Sequence, residues 1–155
     1  MKVIFLDIDG VLNHEQHYKW LMETNEPTPM QRTYPYAEFS PVSCKLLKEV
    51  IDETNAKIVV SSSWRLDGEN RLNSLFKHFG LPRIYSTTPC LNTARGIEID
   101  AWLSAHPEVD KYVILDDDED MNEHQLPYFI KTNPYEDGLN EEVKHKAVKI
   151  LKEAS

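Results

Sequence analysis

Three short runs of large apolar residues punctuate the chain, and each stops abruptly at polar groups. Val3-Ile4-Phe5-Leu6 ends in Asp7-Ile8-Asp9-Gly10, Ile58-Val59-Val60 in Ser61-Ser62-Ser63-Trp64-Arg65, and Tyr112-Val113-Ile114-Leu115 in Asp116-Asp117-Asp118-Glu119-Asp120. Unbroken apolar runs, rather than alternation, mark strands covered on both faces, as in parallel sheets. They predict strands over about residues 2–7, 57–61 and 111–116. Between them the period becomes helical. Ser40-Pro41 supplies a hydroxyl at the N-cap and proline at the first helical position, and Leu47, Val50, Ile51 and Thr54 follow at helical spacing over about 41–54. Leu72, Leu75, Phe76 and Phe79 predict a helix over about 68–79, stopped by Gly80 and Pro82. Ile97, Trp102 and Leu103 mark another over about 96–105. Asn140 caps a last helix with Val143, Ala147, Ile150 and Leu151 facing inward. Residues 83–86 read as a short strand and 128–131 as an edge strand.

Strands alternating with helices imply parallel β-α units with right-handed crossovers. The expected fold is a three-layer α/β sandwich, with 1–155 as one domain and 13–40 as a flap or small cap inserted after the first strand. That connection is rich in Pro27, Pro29 and Pro35, and connections this long in compact domains are usually functional or disordered. Its Tyr18, Trp20, Tyr34, Tyr36 and Phe39 either stack on a base or pack the flap against the sheet. His14 and His17, a pair without a third ligand, read as loop residues, and Cys44 as a core thiol.

Composition narrows the classes. A chain of 155 residues, 41% hydrophobic and 28% charged, can bury a core without staples. It holds no apolar stretch near the roughly 20 residues of a membrane span. Cys44 and Cys90 have neither the number for a disulfide framework nor the spacing of a zinc site, so a reducing, cytoplasmic setting is expected, without a cleavable signal. A net charge of −9 argues against bulk nucleic-acid binding, though not against recognition of a single nucleic-acid end.

The strand ends carry the chemistry, because open α/β sheets bind ligands at the carboxyl ends of their strands. Taken singly, Asp-x-Asp-Gly is commonly a turn, the acidic run a solvated loop, and the serines helix caps. An EF-hand fails because Gly10 follows Asp9 at once. Carboxylates, hydroxyl and carboxylates in this order demand a common explanation.

The ordered set resembles the four motifs of the haloacid dehalogenase (HAD) superfamily. Residues 6–13, Ser61-Ser62-Ser63-Trp64-Arg65, Arg95-Gly96-x-Glu98-Ile99 and Ile114-Leu115-Asp116-Asp117 further resemble the small HAD domains of "Swiss Army knife" RNA-repair proteins. The resemblance implies a mainly parallel Rossmann-like sheet and a Mg2+-dependent phosphatase. In that scheme Asp7 is the nucleophile that becomes an aspartyl-phosphate, and Asp9 the general acid and base whose backbone carbonyl also meets the metal. Ser61, with Ser62 beside it, binds a phosphoryl oxygen. Arg95 supplies the positive charge, with Arg65 as competitor or second phosphate ligand. Asp117 and Asp7 hold the metal and Asp116 orients the site, unless Asp118 or Asp120 replaces either aspartate of the pair. The expected partner is a phosphorylated substrate: a nucleotide, a nucleic-acid end in repair, or a small metabolite. A non-catalytic module binding phosphorylated ligands or a partner, and phosphotransfer to an acceptor other than water, are the alternatives.

Overall fold

A computed structural model describes residues 1–24 and 38–153. In chain order they form β1 (Lys2–Leu6), α1 (Glu15–Thr24), α2 (Pro41–Thr54), β2 (Lys57–Val60), α3 (Glu69–His78), β3 (Ser86–Thr87), α4 (Arg95–Ser104), β4 (Lys111–Asp116), β5 (Phe129–Lys131) and α5 (Glu141–Lys152). Two 3₁₀ turns, Ser63–Asp67 and Glu123–Tyr128, complete the described elements. The five strands are all parallel, in the order β3-β2-β1-β4-β5.

The apolar runs are continuous because alternate residues go to opposite cores. Ile4, Leu6, Ile58, Val60, Val113 and Leu115 pack with Leu47 and Val50 of α2, Leu72 and Phe76 of α3, and Ala147 and Leu151 of α5. Val3, Phe5, Val59 and Ile114 pack on the other side with Ile99 and Trp102 of α4. Phe5 meets Trp102 edge-on with ring centroids 5.4 Å apart. Each such side chain contributes about 1.5–3 kcal/mol on burial, so both faces stabilise the sheet. The result is the three-layer α/β sandwich that the sequence predicts.

Three expectations need correction. Part of the presumed connection, Glu15–Thr24, is helix α1, anchored where the Glu15 and Gln16 amides donate to the carbonyls of Pro134 and Glu136 (2.9 and 3.1 Å). Leu21 is its one buried apolar side chain, so no inward stripe advertises it. His14 does lie in the loop before α1, as read, whereas His17 lies on the helix, and both are buried. The short strand also begins later than read, at Ser86, because the Ile84 amide donates to the Asn73 side chain (2.8 Å). Phe39 is buried, stacked on Phe79 and edge-on to Trp64, whereas Tyr18 and Trp20 are exposed. Pro27, Pro29, Tyr34, Pro35 and Tyr36 lie outside the described residues. Among the described residues, no helix is long and apolar enough to cross a membrane.

Candidate active site at the carboxyl ends of the strands

The ladder runs one step past the last apolar layer. Leu6 lies beside Val60 and Leu115, and the next amides continue the pattern. Asp7 donates to the Leu115 carbonyl (3.0 Å), Ser61 to Leu6 (2.9 Å), and Thr88 to Val60 (3.0 Å). Thr88, Ser61, Asp7 and Asp116 thus form a polar row across four strands. β1 and β4 flank the point where strand order reverses, the usual crevice for a ligand in such sheets.

Asp7 and Asp116 are both buried, and each has a carboxylate oxygen within 4.8 Å of the other and of Asp117. Burial pushes the Asp7 carboxyl up to about 6. Burial, and then the charge of Asp7, pushes Asp116 up to about 9. Asp116 Oδ2 is buried with no hydrogen-bond partner. Buried carboxylates this close demand either a shared proton or a cation. The donors are all oxygen, as Mg2+ prefers, so the residues fit the ion the resemblance implies. Gly10 makes room for this cluster: its φ is +83°, and a Cβ there would lie 2.5 Å from Asp117 Oδ2.

The neighbouring aspartates lie outside that group of three and make other contacts, although Asp120 Oδ1, like Asp116 Oδ2, is buried without a hydrogen-bond partner. The Asp118 amide donates to Asp116 Oδ1 (3.0 Å), while the exposed Asp118 carboxylate accepts from the Glu119 amide (2.8 Å). Asp120 clasps the start of α4: its Oδ2 accepts from the Arg95 amide (2.8 Å) and its carbonyl from Gly96 (3.1 Å). Asp9 is exposed and its carboxylate lies outside the three-aspartate cluster. Its Oδ1 accepts from Asn13 Nδ2 (2.8 Å) and Trp64 Nε1 (3.0 Å).

The serines divide their work. Ser62 caps the 3₁₀ turn, accepting from the Trp64 amide (3.2 Å). Ser61 is fully buried, and its hydroxyl has no hydrogen-bond partner. The arginines divide likewise. Arg65, with its side chain 7% exposed, donates from Nη1 to the Ser62 carbonyl (2.9 Å), from Nη2 to Glu98 (3.0 Å), and from Nε to Cys90 Sγ (2.8 Å). Arg95 is 21% exposed and held by longer contacts, 3.4 Å to Glu98 and 3.8 Å to Asp116.

Sequence reasoning had not singled out Asn13, Trp64, Thr88 or Glu98 for roles here. Glu98 had a signal, its i,i+3 spacing from Arg95. Thr88, after a two-residue strand, had none.

A family model described as the HAD domain in Swiss Army Knife RNA repair proteins matches residues 3–143. No curated protein and no solved structure gives a match.

Proposed function

This chain belongs to the family of HAD domains in Swiss Army Knife RNA repair proteins, and we propose that it is a magnesium-dependent phosphohydrolase acting on phosphate monoesters. The observation that carries the reading is the meeting of Asp7, Asp116 and Asp117 oxygens within 4.8 Å at the strand ends. Asp7, with its carboxyl near 6, is mostly ionised at neutral pH and can attack phosphorus. The new Asp7–phosphorus bond forms as the bond to the leaving oxygen breaks, giving an aspartyl-phosphate. Asp9 protonates the leaving oxygen and then takes a proton from the water that hydrolyses the intermediate. For that it swings from its bonds to Asn13 and Trp64. The Ser61 hydroxyl donates to a phosphoryl oxygen, and Arg95 supplies positive charge beside it. Asp7, Asp116 and Asp117 are the residues to hold magnesium, which when bound offsets the repulsion between carboxylate and phosphate.

Nucleotides and phosphorylated nucleic-acid ends are the favoured substrates, on the strength of the family. The net charge of −9 confines any polynucleotide contact to the end itself. The test is phosphate release, with and without magnesium, from 3′- and 5′-phosphorylated RNA and DNA oligonucleotides, mononucleotides, sugar phosphates and an aryl phosphate. Magnesium-dependent release that vanishes in Asp7→Asn is expected. Preference for small metabolites would keep the chemistry and remove the repair assignment. No release by folded, magnesium-bound protein would overturn the enzyme in favour of a binding module.

A further inference from the structure

We propose that Glu98 is a positioning residue for the phosphoryl site, fixing Arg65 as a strut and aiming Arg95 at the reacting group. The inference rests on the phosphohydrolase reading for its consequence, though not for its geometry. Glu98 lies in the first turn of α4 and is buried. Its Oε1 accepts from Arg65 Nη2 (3.0 Å) and faces Arg95 Nη1 (3.4 Å), while its Oε2 accepts from the Leu91 amide (2.7 Å). One buried carboxylate therefore ties together the turn after β2, the loop after β3 and the start of α4. A buried charge is tolerated only with partners of this kind.

The consequence follows from what else Arg95 could reach. Its other carboxylate neighbour is Asp116 Oδ2, 3.8 Å from Arg95 Nε and without a hydrogen-bond partner of its own. Glu98 and Asp116 compete for one guanidinium. With Glu98 charged, Arg95 stays between them and faces the phosphoryl position. With Glu98 neutral, two arginines lose their shared anion and Arg95 closes on Asp116. That contact withdraws the cation from phosphate and occupies a carboxylate needed for the metal. Arg65 is held by two further bonds, to Ser62 and Cys90, so it does not take the vacated role.

The test is a double-mutant cycle of Glu98→Gln and Arg95→Ala, read by calorimetric binding of inorganic phosphate to the magnesium-loaded protein. kcat and KM for an aryl phosphate are measured beside it. Each single variant is expected to weaken phosphate binding by about tenfold or more, the scale of a charge-assisted hydrogen bond. The double variant should bind no more weakly than Arg95→Ala alone. Multiplying losses would show that Glu98 acts only as structural support and would overturn the proposal. So would wild-type affinity in Glu98→Gln, or no phosphate binding by wild-type protein that binds magnesium. If melting shows that Glu98→Gln does not fold, Glu98→Asp, which keeps the charge at shorter reach, replaces it in the cycle. It should weaken phosphate binding less than Arg95→Ala does and add nothing to that loss in the double variant, and multiplying losses would again overturn the proposal. Phosphate binding with non-additive losses but no ester hydrolysis would sink the phosphohydrolase reading and leave the role of Glu98 standing.

Discussion

Asp116 shows how a single residue can make a site conditional. Its carboxyl, near 9, and that of Asp7, near 6, both lie above the ordinary 3.8, so the folded protein keeps protons that the unfolded chain has released. Folded-state binding of extra protons means that stability falls as pH rises, here between about 4 and about 9. His14, held below 6.5 by burial and the charge of His17, acts in the opposite sense below that value. The carboxyl effect is therefore clearest above pH 6.5. The melting temperature of metal-free protein in chelator is expected to fall from pH 6.5 to 9, as the unfolding free energy drops by up to about 1.4 kcal/mol per pH unit for each proton held. Magnesium should restore it, since the ion binds the folded state. Asp116→Asn should flatten the slope; a flat wild-type profile would contradict the shared-proton site. Asp7 and Asp117 were legible as chemistry from their place after apolar runs. The pinning of Arg65 was not, because it meets Glu98 across 33 positions of sequence and no local pattern records that contact.

Elements were legible where their ends carry their own signals. Ser40 accepts from the Ser43 amide and Pro41 opens α2, as the two residues predict, and Asn140 caps α5 through the Val143 amide. α1 lacked such a signal: with one buried apolar residue, its position depends on docking against 134–136 rather than on periodicity. β3 pairs through only two residues, so its bounds are set by its neighbour. The loop before α5 also reaches the aspartate-bearing turn after β1. The Leu139 amide donates to the Val11 carbonyl (2.9 Å), and the Thr132 hydroxyl to that of Gly10 (2.8 Å). Gly138 allows this approach, with φ +55° and a would-be Cβ only 2.6 Å from the Val11 carbonyl oxygen. Gly138→Ala should therefore cost about 1–3 kcal/mol, read as a lower denaturant midpoint at unchanged slope. An unchanged midpoint would mean that the two loops separate freely.

For the whole molecule, the layered class was readable because two-sided burial writes itself as unbroken apolar runs. Strand order was not, since adjacency in a parallel sheet joins residues far apart in sequence. The same layering separates the two thiols. Cys44 is buried in the larger core, where burial pushes its pKa up, whereas Cys90 is exposed beside Arg65. Iodoacetamide should label Cys90 alone in native protein and both residues in denaturant. Native labelling of Cys44 would contradict the packing of α2. The clasp of Asp120 on α4 has a wider consequence. It joins the acidic loop to the helix bearing Arg95, making the gap between the proposed cation-holding and anion-holding halves a fixed gauge. Under the proposed function, a centre of fixed gauge would accept one phosphoryl group much as it accepts another. Discrimination among substrates would then fall to the surface around Asp9 and Trp64, where relatives could trade one clientele for another while the machinery beneath stays untouched.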